Sequence, residues 1–208
     1  MTETTWHYEN FEPAGSAIGY RITRKLDEVQ SPFQKIEIFE STDWGNLMLI
    51  DGAMMLTTRD NFFYHEMMAH PALFTHAAPK TVVIIGGGDC GTLREVLRHP
   101  GVEKAVQCDI DEQVTRMAEK YFPELCESND DPRAMAGGGG LRRAAIFHGL
   151  GRCRQRVRRS IASARTRSRH LDFATIRAPP PPDRRAHACC RLVSVWIWPL
   201  NWIDRHAR

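Results

Sequence analysis

Apolar and charged residues alternate over Lys35-Ile36-Glu37-Ile38-Phe39-Glu40, a period of two that predicts a half-buried strand. Thr42-Asp43-Trp44-Gly45-Asn46 supplies a turn, and Leu47-Met48-Leu49-Ile50 follows as a second strand. Asp51-Gly52, a strong hairpin dipeptide, returns the chain through Ala53 to Thr57. With a short strand near Ala17 to Thr23, after a loop over 11–19, residues 1–57 read as a small antiparallel β-unit. The period then changes. Asp60 to Phe74 predicts an amphipathic helix, capped by Thr58 or Asp60 and ending near Pro71 or just beyond. Val82 to Ile85 is a short β-branched run, as expected of a parallel strand covered on both faces. Thr92 to Arg98 predicts a helix ended by His99-Pro100-Gly101, and Lys104 to Ile110 a second such strand. Asp111 to Tyr121 then predicts a helix with Val114, Met117, Ala118 and Tyr121 at helical spacing, stopped by Pro123. Strand, helix, strand, helix is the start of a doubly wound α/β sheet.

Between the first parallel strand and its helix stand Gly86, Gly88 and Gly91, the G-x-G-x-x-G spacing of a nucleotide-type cofactor loop, which allows a tight turn, close backbone approach to a ligand and close packing of the next helix on the strand. Asp89 in the middle of that turn would repel the pyrophosphate that such loops hold at a helix N-terminus. Asp109, at the end of the next strand, lies where an acid takes up ribose hydroxyls. The two acids point to an adenosine cofactor that is cationic, a sulfonium nucleoside of the S-adenosylmethionine type. An alternative role for Asp89 is capping of the following helix through Leu93.

His65-Glu66-Met67-Met68-Ala69-His70 invites a zinc reading. The histidines are five apart, however, and on a helix they diverge by about 140°, whereas metalloprotease histidines sit four apart on one face. No metal site is expected from this pair. His65 taken alone reads as an ordinary interfacial histidine, and Gln34 as a polar residue of the surface.

The glycine loop Gly86-Gly87-Gly88-Asp89-Cys90-Gly91-Thr92-Leu93-Arg94-Glu95, followed by Cys108-Asp109-Ile110-Asp111 and preceded by Tyr64-His65-Glu66-Met67, resembles the spermidine synthases, the polyamine aminopropyltransferases. The resemblance covers residues from about 6 to 134. It implies a small N-terminal β-domain followed by a Rossmann-like, methyltransferase-type domain, and transfer of an aminopropyl group from decarboxylated S-adenosylmethionine to putrescine, with no metal or redox cofactor. By the same resemblance Gln34, Gly86, Gly88, Asp89 and Asp109 contact the nucleoside co-substrate, while Tyr64, His65 and Asp89 line the diamine channel. A homodimer or homotetramer joined through the N-terminal β-unit is implied too. Such enzymes carry an Asp-Gly turn for adenine and an Asp-Ser/Thr-x-Asp-Pro box, whose acids bind and deprotonate the attacking amine. This sequence has no such box, so the general base is unassigned and the chain is expected to be nearly inactive.

Composition sharpens that break. Residues 1–134 hold 12 Lys and Arg against 22 Asp and Glu, whereas residues 135–208 hold 16, all Arg, against three acids, Asp172, Asp183 and Asp204. The chain thus divides into a β-hairpin domain over 1–57, the start of a Rossmann-like domain over 58–134, and an Arg-rich tail over 135–208 expected to be disordered or irregular. Its lack of Lys and Glu, with Pro179 to Pro182 and Cys189-Cys190, fits translation of a GC-rich gene in a shifted frame better than a basic nucleic-acid-binding arm. Two other function classes stay open on these residues: a nicotinamide-dependent oxidoreductase on the same glycine loop, and a non-catalytic binding protein acting through the tail. The six cysteines form no C-x-x-C, no stretch is long and apolar enough to span a bilayer, and no secretory signal opens the chain, so a cytoplasmic protein is expected.

Overall fold

The computed structural model describes residues 5–134, 146–148 and 192–196. The N-terminal unit is an antiparallel meander in the order β1-β2-β3-β4-β5. Its strands are β1 (Thr5–Phe11), β2 (Ser16–Gln30), β3 (Lys35–Ser41), β4 (Asn46–Ile50) and β5 (Ala53–Thr57). The alternation in β3 sets the layering. Ile36 and Ile38 face a core shared with Met48, Leu56 and the later residues Val114, Met117 and Phe122, while Phe39 turns to the opposite side against Leu47 and Leu49. Asp51 and Gly52 both have positive φ, 51° and 83°, the signature of the tight turn that matches strand twist.

Two features differ from the expectation. The segment 5–11 is a strand, paired from Thr5↔Ile22 to Phe11↔Ser16, where the sequence showed a loop from residue 11 and nothing regular before it. Its apolar side chains Trp6, Tyr8 and Phe11 point outward, so no inward stripe marked it. β2 is also far longer than Ala17 to Thr23; it absorbs its length through pairing irregularities near Thr23 and Leu26.

Helix α1 (Asn61–Thr75) follows and runs through Pro71. Its buried positions are Asn61, His65, Ala69 and Leu73, whereas Phe63, Met67 and Phe74 are exposed. The inward face of this helix is therefore the more polar one at its N-terminal half. β6 (Thr81–Ile85), α2 (Gly91–Leu97), β7 (Lys104–Asp109) and α3 (Glu112–Tyr121) then alternate as expected. Asp111 caps α3 by accepting from the Gln113 N–H at 3.0 Å.

The parallel sheet has the order β8-β7-β6-β9, in which β8 is Ile146–His148 and β9 is Leu192–Trp196. β6 therefore lies where the strand order reverses, and the loop leaving it opens at the crevice where doubly wound sheets hold ligands. The expected irregular tail has these two exceptions. β9 belongs to the longest apolar run of the tail and pairs with β6 from Thr81↔Leu192 to Ile85↔Trp196, meeting an otherwise open edge. Every other residue of 135–208 lies outside the described residues.

The two units are bonded to each other by polar contacts from α3. Asp111 accepts from Ser31 Oγ at 2.7 Å and from Gln34 Nε2 at 3.0 Å. Tyr121 Oη donates to Asp27 at 2.8 Å, and Asn46 Nδ2 donates to the Tyr121 carbonyl at 2.9 Å. Among the described residues no helix is long and apolar enough to cross a membrane.

Candidate active site

The loop between β6 and α2 is fastened through its backbone. The Gly86 N–H donates to the Cys108 carbonyl at 2.7 Å, continuing the ladder to β7. Gly88 N–H donates to Asp109 Oδ2 at 2.8 Å, and Asp111 N–H donates to Asp109 Oδ1 at 2.9 Å. The Gly88 carbonyl accepts from Thr115 Oγ1 at 2.8 Å. A Cβ at residue 88 would stand 3.0 Å from the Asp109 carboxyl and 3.1 Å from Val114, so glycine is what lets the acid approach.

Asp109, the expected ribose ligand, is thus first a clamp on the loop. Burial pushes its carboxyl up to about 6 against the lowering effect of the two N–H donors. Each of its oxygens keeps one further lone pair. Gln34 stands at the seam between the two units, where its amide donates to Asp111. That amide bonds to neither Asp109 nor Asp89, both of which are held by other partners.

Asp89 lies at the mouth of the loop. Its Oδ1 accepts from the Gly91 N–H at 2.9 Å, and its Oδ2 is 3.2 Å from His65 Nε2. In place of the alternative cap through Leu93 there is a shorter turn onto Gly91, while Cys90 occupies the cap position of α2. Burial would raise the Asp89 carboxyl, but the charge and hydrogen bond of His65, the Gly91 N–H and the Arg94 guanidinium together hold it below its ordinary value.

His65 and Tyr64 come to this loop from α1. The His65 imidazole is fully buried and lies directly over Gly91: a Cβ there would sit 2.3 to 2.5 Å from its ring atoms. The third glycine of the signature therefore makes room for a histidine from another element, where the sequence suggested helix-on-strand packing. With Nε2 turned to Asp89, Nδ1 is buried and has no partner among the described residues. The Tyr64 ring meets His65 edge-on at 5.4 Å. Burial, then the charge of Asp89, pushes its phenol up to about 12, so it remains a neutral donor and acceptor. Tyr64, His65, Asp89 and the glycine loop are brought together; Gln34 joins them only through Asp111 and Asp109.

Sequence reasoning missed several participants. Ser31 and Asp111 had no assigned role, since nothing in the sequence said that residues eighty positions apart would meet. Glu66, His70 and Glu95 place one ligand atom each within 4.8 Å of one another, because Glu66 and His70, four apart, share the face that His65 and His70 do not. Glu95 is fully buried and already paired with Arg94 at 2.9 Å and Arg98 at 2.8 Å. Two guanidiniums satisfy that carboxylate, and His70 Nε2, 3.5 Å from it, connects α1 to α2 there.

Comparison with known proteins matches the residues that carry this arrangement to two family descriptions. The family described as spermidine synthase tetramerisation domain matches residues 5–58, and the spermine/spermidine synthase domain matches residues 61–137. The polyamine aminopropyltransferase of Xanthomonas campestris pv. campestris (strain B100) is 80% identical over 133 residues, covering 64% of this chain and 47% of that protein. Its counterpart in Xanthomonas axonopodis pv. citri (strain 306) is 81% identical over 129 residues, covering 62% and 45%. A spermidine synthase crystallised in complex with the transition state analogue AdoDATO superposes with TM-score 0.61 at 41% identity, over 67% of this chain and 48% of that one. The Thermotoga maritima spermidine synthase gives TM-score 0.61 at 40% identity, over 67% and 50%. The chain spans about half the length of the curated relatives it matches. Beyond residue 137 neither family description continues, and across the part that carries the meander, the glycine loop and the His65–Asp89 pair this chain belongs to the spermidine synthase family.

Proposed function

We propose that the loop after β6 binds decarboxylated S-adenosylmethionine and that the face made by Tyr64, His65 and Asp89 receives putrescine, the pair from which the family reaction makes spermidine and methylthioadenosine. The observation that supports this reading is Asp89, a carboxylate held ionised in the middle of a glycine loop. A negative charge there repels a dinucleotide pyrophosphate and attracts an ammonium or a sulfonium. Asp109 uses its free lone pairs for the ribose hydroxyls, and Gln34 offers the nucleoside its second amide hydrogen and its carbonyl oxygen. Asp89 holds the ammonium of the aminopropyl arm or of the diamine, beside the neutral Tyr64 hydroxyl.

In the reaction a neutral amine attacks the carbon next to sulfur, the C–S bond breaks, and its electron pair leaves on methylthioadenosine. The displacement is polar throughout and calls for orientation and the removal of one proton. No acid of residues 135–208 stands in an Asp-Ser/Thr-x-Asp-Pro context. The reading is therefore binding with little or no transfer by this chain, which assembles in the cytoplasm as a homodimer or homotetramer through the β1–β5 sheet.

Calorimetric titration tests it. Methylthioadenosine and decarboxylated S-adenosylmethionine are expected to bind the full chain, with Asp89→Asn weakening the cationic ligand at least tenfold more than the neutral one. Binding of NADH with no affinity for methylthioadenosine would overturn the reading. Spermidine formed at the rate of an intact synthase would overturn the inactivity.

A further inference from the structure

We propose that Cys90 and Cys126 form an oxidisable dithiol, closed by hydrogen peroxide into a disulfide that ties the Asp89 loop to the turn after α3. The first observation is backbone conformation. Among the described residues only Asp51 and Cys90 have positive φ without being glycine. Asp51 is in a tight hairpin turn and belongs to a residue type that tolerates it. Cys90, at φ 72° and ψ −6°, does not, and it stands between Gly88 and Gly91 in a loop where a further glycine would relieve the strain. A side chain kept there at that cost does something a hydrogen does not.

The second observation is what surrounds the sulfur. Cys90 is fully buried, its thiol donating to the Gly88 carbonyl at 3.5 Å and facing Gln107 Nε2 at 3.9 Å. Cys126 follows the 3-10 turn Pro123–Leu125 and is partly exposed. Its thiol donates to the Asp89 carbonyl at 4.0 Å, the oxygen of the peptide that Cys90 N completes. The Cys126 sulfur thus lies against the peptide that carries Cys90, and a hydrogen bond with Cys126, ahead of burial, raises the Cys90 thiol well above its ordinary value. Cys90 is thus the protected sulfur and Cys126 the one that meets solvent.

The chemistry follows from that division. The Cys126 thiolate attacks one peroxide oxygen, the O–O bond breaks, and hydroxide leaves to become water, giving a sulfenic acid. Cys90 sulfur then attacks the Cys126 sulfur, the S–O bond breaks, and the departing hydroxide takes the Cys90 proton as a second water. Two thiols and one peroxide become one disulfide and two waters. Bonded sulfurs stand about 2.0 Å apart, so closure draws Cys90 and its neighbour Asp89 toward residue 126.

The test is thiol mapping on the full chain. After brief peroxide treatment, denaturation, alkylation and digestion, the expected product is a pair of peptides joined through Cys90 and Cys126, two hydrogens lighter than the reduced pair and restored by dithiothreitol. Cys126→Ser abolishes it, and Cys90→Gly abolishes it while removing the strained residue. Full alkylation of both cysteines after oxidation, or pairing of either with Cys153, Cys189 or Cys190, would overturn the proposal. The consequence rests on the function proposed above: oxidation is expected to weaken methylthioadenosine binding at least fivefold, reversibly. A chain that binds no nucleoside in either state fails that function, whereas the mapped disulfide decides the dithiol by itself.

Discussion

The glycine-loop region and the outer strands β1 and β2 invert the usual order of side chains in opposite directions. Around the loop the polar groups are inside. His65 and Glu95 are fully buried, and Asp109 and Asp111 nearly so, each held by hydrogen bonds. On the outer strands the apolar groups are outside: Trp6, Tyr8, Phe11 and Ile18 are each more than half exposed. The Trp6 and Tyr8 rings stack at 6.0 Å and lie over Gly19 of the neighbouring strand, flat on the sheet. Burying ionisable groups costs stability, and so does leaving an aromatic stripe in water. The difference teaches where to look for the missing partner of each region: a charged ligand for the loop, and another protein surface for the strands.

The comparison breaks most visibly at Gly91. Gly91→Ala places a methyl inside the His65 ring, so the imidazole must swing away from Asp89, and a loss of about 3 kcal/mol or more is expected in urea unfolding. Asp109 gives a pH signature. Its carboxyl is raised from 3.8 to about 6 in the folded state, so the folded form binds the proton more tightly than the unfolded one. The resulting stability is fully present below about pH 4 and is lost as pH rises through about 6, by at most about 3 kcal/mol. Unfolding curves of wild type and Asp109→Asn should differ by an amount that shrinks over that window as pH rises. A pH-independent offset remains, because an amide oxygen replaces only one of the two acceptors. The smallest effect on the folded chain is expected at the strands. Trp6→Ser with Tyr8→Ser should change the unfolding free energy of a protomer by only about 0.5 kcal/mol. Light scattering should nevertheless show the assembly proposed above reduced to monomers.

Much of this was legible from local pattern. The β3–β4–β5 hairpins follow from alternation and Asp51-Gly52, and the βαβ core from Val82 to Ile110 follows from apolar runs separated by the glycine signature. What stayed hidden depends on long-range meeting. Thr5–Phe11 hid because its apolar side chains face outward, and Gly91 looked like a helix-packing glycine because its true neighbour, His65, is 26 residues earlier. Asp109 and Gln34 were legible as polar residues at the ends of strands, but their occupation by Gly88, Asp111 and α3 is a tertiary fact. The run Leu192–Trp196 was visible as apolar, and only the open edge of β6 explains why it pairs there.

The placement of β6 between β7 and β9 also sets an order of events as the chain leaves the ribosome. The meander closes through neighbours in sequence, and β6 finds β7 soon after it is made, with Thr81 meeting Lys104. The other edge of β6 waits for Leu192, so the crevice into which the glycine loop opens gains its second wall only once Leu192–Trp196 has been made, long after β7. Until then a buried-type strand runs with one row of backbone donors and acceptors bare, an edge open to pairing with the wrong strand.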